Sequence, residues 1–289
     1  MKYVITALLL GIATTSLSAA TPLAIYTDPI PDKAHPPKME TVHIPTGGVE
    51  INGVVYVASG AGPHPTVVLC HGLPGNEKNL DLAQALRRAG YTVITFNYRG
   101  SWGSPGTYKF AQNLEDADAV IAFARNPANA AKLRVDPNRI AIVGHSMGGW
   151  VSALTAAHDK ALIGAVMISA GGLGRIGELP REQAVAGFRN NGMEALAGTS
   201  PEAMADEVIA NKVAFGFAQA ALRLTNVPLL VMTSDDGLAF FSDELVAGMK
   251  AAKGTRLTTM HVATDHSWSD NRIRLQSEII DWLSTLKGK

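Results

Sequence analysis

From residue 66 onward the chain alternates short, almost unbroken apolar runs with amphipathic or alanine-rich segments. The runs are TVVLC (66–70), YTVITFNY (91–98), RIAIVG (139–144), LIGAVMIS (162–169), VPLLVMT (227–233) and LTTMHVA (257–263). Continuous apolar stretches of this length predict strands buried on both faces of a mostly parallel sheet. Between the first two runs, Leu82, Ala85, Leu86 and Ala89 recur at helical spacing. Arg87 and Arg88 suit the last turn of that helix, and Gly90 suits its stop. The alternation continues to the C-terminus and predicts an α/β fold: a doubly wound, mostly parallel sheet with helices on both faces.

Three stretches depart from this rhythm. TVHIPTGGVEINGVVYVA (41–58) holds two β-rich runs separated by residues 46–48, which predicts antiparallel edge strands joined by a turn. Residues 171–226 are alanine-rich and helix-like between two expected strands, a helical cap insertion. Ser200, Pro201 and Glu202 mark a helix start within it. The expected α/β core is therefore residues 41–170 and 227–289. At the N-terminus, Lys2 precedes an apolar run and then TTSLSAA, with Ser18 and Ala20 at small-residue positions. This predicts a signal peptide over residues 1–20, because the run is too short to span a bilayer. Residues 21–40 are proline-rich and read as a tether. The expected location is periplasmic or secreted, with no membrane association once the leader is removed.

Composition narrows the chemistry. Lysine plus arginine and aspartate plus glutamate number 25 each, so no charge excess recruits nucleic acid or an anionic membrane. Cys70 is the single cysteine, which excludes an internal disulfide and reads as a buried strand thiol. The eight histidines show no H-x-H or H-E-x-x-H spacing, and no metal site or cofactor is expected.

The strand RIAIV runs into GHSMGG and then a helix-like segment. A G-x-S-x-G match alone is weak, but strand, sharp turn and helix together present the Ser146 hydroxyl above a sheet edge. A serine nucleophile needs a base and a group to orient that base. Downstream, VPLLVMTSDDG ends in Asp235 and Asp236, and His266 follows the last strand. The order Ser146, Asp236, His266 places each residue after a different strand, at ends that share one edge of a parallel sheet. Backbone N–H groups of Leu73, in CHGLPG, and of Met147 are candidate donors to a developing oxyanion. His71 and His145 flank these motifs and are expected to orient loops. His261 reads as structural, and Asp265 and Asp270 as loop caps.

HGLPG, NYRGSWGSPG and GHSMGG stand in this order ahead of the acid and the histidine, and residues 41–286 then resemble the α/β-hydrolase superfamily. Within it the chain most resembles dienelactone-hydrolase and prolyl-oligopeptidase-like serine esterases. The resemblance implies hydrolysis of a carboxylic ester, thioester or amide without a cofactor. It favours Asp236 as the acid, because Gly237 and Leu238 look like the family's turn; Asp235 stays open, and Ser234 stands where the family has glycine. The β-propeller of true prolyl oligopeptidases is absent, which argues against long peptides. The expected partner is a small or medium acyl or aryl ester, with Trp102, Phe215 and Phe217 as candidate substrate-binding residues. Phe188, Met193 and Met204 are expected to pack within the cap, and Arg99 either walls the pocket or braces its loop. A peptidase, amidase or acyltransferase using the same triad, and a binding protein without chemistry, are the alternatives.

Overall fold

The structure is a computed structural model that describes residues 20–286; the leader expected over residues 1–20 lies outside the described residues except for Ala20. In chain order the elements are β1 (Lys38–Thr46), β2 (Val49–Val57), β3 (His64–Cys70), α1 (Leu80–Arg88), β4 (Thr92–Phe96), α2 (Phe110–Arg125), α3 (Pro127–Leu133), β5 (Val135–His145) and α4 (Met147–His158). They continue with β6 (Gly164–Ile168), α5 (Leu173–Ile176), α6 (Arg181–Arg189), α7 (Pro201–Ala210), α8 (Phe217–Leu224), β7 (Leu229–Ser234), α9 (Ala239–Ala251), β8 (Leu257–Val262) and α10 (Arg272–Ser284).

One eight-stranded sheet has the order β1-β2-β4-β3-β5-β6-β7-β8. β1 pairs with β2 and β2 with β4 antiparallel, and every other pair is parallel. The β1–β2 turn is Gly47–Gly48, with φ of 54° and 81°, the left-handed pair a two-residue hairpin needs. Each buried strand divides its residues between two cores. Val68 and Cys70 of β3 join α2, α4, α8 and α9 on one face, and Val67 and Leu69 join α1 and α10 on the other. That two-sided burial is the physical reason the strands read as unbroken apolar runs. Cys70 is fully buried, and burial pushes its thiol up to about 12, so it is inert packing.

β1 begins at Lys38, three residues inside the stretch that reads as a tether, because residues 38–40 pair with residues 55–57. The rest of that stretch lies on the body. Arg88 donates to the carbonyls of Ala24 (2.5 Å) and Ile25 (3.2 Å), and Arg134 donates to that of Pro36 (2.8 Å).

Four helices, α5–α8, connect β6 to β7. α6 packs on α7, whereas α8 lies against α4 and α9 in the layer that covers the sheet. Ser200 caps α7 by accepting from Ala203 N at 3.1 Å, with Pro201 at the first helical position. Glu207 of α7 accepts from the otherwise free N–H groups of Phe110 (3.0 Å) and Ala111 (2.8 Å), which tethers the connection to the start of α2.

The parallel strands end along one edge, and the chain reverses its winding direction between β3 and β5. The crevice outside those two strand ends is where such sheets hold ligands.

Candidate active site

Ser146 sits between β5 and α4 with φ 56° and ψ −122°, a conformation costly for a residue bearing a side chain. Its N–H donates to Ile168 O (2.8 Å), and its carbonyl accepts from Gly149 N (2.9 Å) and Gly171 N (3.0 Å). The flanking glycines answer to close approach. A Cβ on Gly144 would stand 1.9 Å from Gly148 O, and one on Gly148 would stand 2.2 Å from Cys70 O. Ser146 Oγ has no hydrogen-bond partner among the described residues. It lines a cavity of about 240 Å³ with Leu73, His145, Asn190, Asn191 and His266.

His266 meets Asp236 at 2.7 Å between Nδ1 and Oδ2. A carboxylate only accepts, so Nδ1 carries the proton and Nε2 is left with its lone pair. The Asp236 side chain is 2% exposed. Burial works against its ionised form, but the hydrogen bonds from His266 and from Leu238 N (2.8 Å) outweigh that and hold the carboxyl below its usual range. Asp235 turns away to solvent and pairs with His261 Nε2 at 2.9 Å. Of the two aspartates, the structure therefore brings Asp236 to His266.

The loops that carry these groups are tied by buried polar contacts. His145 Nε2 donates to His266 O at 2.7 Å, and the two rings lie 4.7 Å apart. His71 Nδ1 donates to Gly72 O at 2.7 Å, and its ring meets Tyr98 edge-on. Burial drives both rings down to about 4, for His145 with a contribution from His266, so both are neutral at pH 7. Trp268 Nε1 donates to Ser169 Oγ (3.0 Å), which bonds Ser234 Oγ (2.7 Å). This chain fastens the ends of β6 and β7 to the loop of His266. Nothing in the local sequence signals it, because its members are 99 and 65 residues apart. Asp265 accepts from Ser269 N (2.8 Å), and Asp270 accepts from Thr264 Oγ1, both as loop caps.

The N–H groups of Leu73 and Met147 have no acceptor among the described residues, and Met147 opens α4 with its amide outside the helical ladder.

Arg99 is a brace and not a pocket wall: its Nε donates to buried Asp116 at 2.6 Å, and Thr46 Oγ1 donates to the same carboxylate at 3.0 Å. Trp102 lines a second cleft of about 500 Å³ with Pro74, Asn76 and residues 194–197. Phe215 and Phe217 correct the expectation of a substrate-facing pair. Phe215 packs edge-on against Trp150, whose Nε1 donates to Phe215 O at 2.9 Å, and both phenylalanines are buried in the core. They sit at the start of α8, a sheet-covering helix. Asn190 and Asn191, just beyond α6, face Ser146 instead. A polar loop of this kind has no periodicity from which to read its direction. Among the described residues no group of three or more His, Cys, Asp or Glu is placed to hold a metal.

Comparison with known proteins bears on the fold and the family. An uncharacterized protein of Mycobacterium tuberculosis is 33% identical over 106 residues, 36% of each chain. Esterase EstD of Thermotoga maritima is 27% identical over 154 residues, 48% of this chain and 34% of that one. The matches thus span only about a third of those relatives' length. Among solved structures, the thermostable carboxylesterase EstE1 from a metagenomic library superposes with TM-score 0.65 at 23% identity, over 91% of this chain and 92% of that one. A putative dienelactone hydrolase of Klebsiella pneumoniae gives TM-score 0.60 at 18% identity, over 86% and 99%. The Alpha/beta hydrolase family pattern matches residues 67–274, from β3 to the start of α10. Strand order, serine turn and this match agree, and the chain belongs to the Alpha/beta hydrolase family.

Proposed function

We propose that the chain is an exported serine hydrolase that cleaves small to medium carboxylic esters through an acyl-enzyme. The observation that carries this reading is the 2.7 Å contact of His266 Nδ1 with buried Asp236, made beside the cavity that Ser146 and His266 both line. A hydroxyl beside an imidazole in that tautomer has the base it needs. Ser146 Oγ attacks the carbonyl carbon as its proton passes to His266 Nε2, and the imidazolium is stabilised by Asp236. The oxygen that gains charge takes hydrogen bonds from Leu73 and Met147 N–H, each worth on the order of 3 kcal/mol in such sites. Collapse expels the alcohol, which receives the proton from His266. A water then attacks the acyl carbon with His266 as base, and the acid leaves Ser146.

Ser146 and His266 share no hydrogen bond among the described residues, and catalytic contacts of this kind commonly tighten only as substrate binds. An ester is favoured as substrate because the similar proteins of described activity include a carboxylesterase and an esterase. Export rests on the leader pattern of residues 1–20, and no described helix is long and apolar enough to cross a membrane.

The test is steady-state hydrolysis of an acyl-length series of esters by the purified protein and by Ser146→Ala. A loss of at least about a thousandfold in the variant is expected. Equal rates in both proteins would refute the assignment. Cell fractionation of the full-length chain, with N-terminal sequencing of the product, checks export.

A further inference from the structure

Two cavities meet at the loop after β3. Pro74 and Asn76 line both the cavity of about 240 Å³ at Ser146 and the cleft of about 500 Å³ beside it. One wall of the cleft is the indole of Trp102, still 39% exposed. The other wall is residues 194–197 of the α6–α7 connection. The two walls are stitched together: Trp102 N donates to Ala195 O (2.9 Å), and Ala197 N donates to Gly100 O (2.8 Å). The indole is pinned as well, since Nε1 donates to Pro74 O at 2.7 Å.

An exposed aromatic ring held this firmly loses little freedom when a ligand covers it, which is the preorganisation that favours binding. Lys78 places its ammonium 4.3 Å from the centroid of the Trp102 ring, yet Lys78 lines a different cavity and not this cleft. Glu194 is the single charged side chain among the described residues that line the cleft. A carboxylate on the ligand would find one like charge among the lining residues, and the Lys78 ammonium near the indole is already engaged by Asn97 Oδ1 at 2.9 Å.

We propose that the ester taken by this site carries a planar aromatic group without negative charge, seated against the Trp102 indole in this cleft. The proposal rests on the esterase reading above and names the substrate class for it. Stacking of two rings adds about 2- to 12-fold over burial of the same area.

The experiment compares kcat/KM for two pairs that differ only in ring saturation: benzyl against cyclohexylmethyl acetate, and methyl phenylacetate against methyl cyclohexylacetate. The two pairs place the ring on either side of the scissile bond. The wild type is expected to favour the aromatic member of at least one pair by about 2- to 12-fold. Trp102→Leu is expected to bring that ratio to about one, and Trp102→Phe to keep most of it. A mere brace between loops would lower both members together and leave the ratio alone. With 4-carboxybenzyl acetate, turnover is expected to fall below that of benzyl acetate, and Glu194→Gln to recover about threefold of the loss. An aromatic preference unchanged in Trp102→Leu, or a preference for the carboxylated ester, overturns the proposal while leaving the esterase reading intact. Failure of the wild type to hydrolyse any of these esters overturns both.

Discussion

His145 donates from Nε2 to the carbonyl oxygen of His266 across 2.7 Å, and the residue that makes this contact is the immediate chain neighbour of Ser146. The end of β5 thus delivers the serine and fastens the loop carrying the histidine in one stroke. His145→Phe keeps a ring in the space and removes the donor. Its expected effect is a loss of roughly fivefold in kcat with KM little changed, from looser placement of His266 by a lost hydrogen bond of about 1 kcal/mol. Ester kinetics on the folded variant check it.

The same ring gives a pH prediction. His71 and His145 are held near 4 in the fold against an ordinary value of 6.5, chiefly by burial. Below 6.5 the unfolded chain takes up protons that the folded chain refuses until about 4, so the neutral rings' contribution is complete above 6.5 and lost as pH falls towards 4. Between pH 7 and pH 5 the expected loss is on the order of 2 kcal/mol per histidine. Denaturant titrations at the two values measure it, and His145→Phe is expected to show a shallower dependence than the wild type.

Asp236 and Asp235 are neighbours in sequence with separate partners, His266 and His261. Asp236→Asn is expected to lower kcat by about a thousandfold or more, since an amide admits the wrong imidazole tautomer. Asp235→Asn, at an exposed pair, is expected to stay within about twofold. Comparable losses in both would put the acid assignment in error.

Gly144 has an ordinary backbone angle, and its constraint is space alone. A methyl group there would meet Gly148 O at 1.9 Å and Ser152 Oγ at 2.5 Å. Gly144→Ala is expected to cost about 3 kcal/mol or more of stability by overpacking, or to prevent soluble expression, as read by denaturant unfolding.

Glu207 joins the α6–α7 pair to the core by accepting from two amides at the start of α2. Glu207→Ala is expected to cost about 1 to 2 kcal/mol, from the lost cap and its charge at a helix N-terminus. Its effect on activity should exceed that of an equally destabilising change in α3, because the connection it anchors carries Asn190 and Asn191 over Ser146.

Fold and site were legible in the sequence to different depths. The sheet was plain because strands such as β3 and β6 are apolar on both faces, and the helix of Leu82 and Leu86 because it is apolar on one. The sharp turn at Ser146 was legible because the glycines around it answer to steric demands that few other residues meet. The choice between Asp235 and Asp236 was not, since it depends on which way a turn throws two identical side chains. Phe215 and Phe217 misled because a buried aromatic in a connecting segment reads alike whether it lines a pocket or covers a sheet. The Trp268–Ser169–Ser234 relay lay out of reach for another reason: small hydroxyls acquire a role only when distant strands bring them within 3.0 Å.

The most direct measurement is labelling of the purified protein with a fluorophosphonate probe, with the modified residue mapped by mass spectrometry, in wild type, Ser146→Ala and His266→Ala. Rapid labelling of the wild type at Ser146, none of Ser146→Ala and little of His266→Ala is the predicted result. A folded wild type that is not labelled, or is labelled as fast without His266, would contradict an activated Ser146.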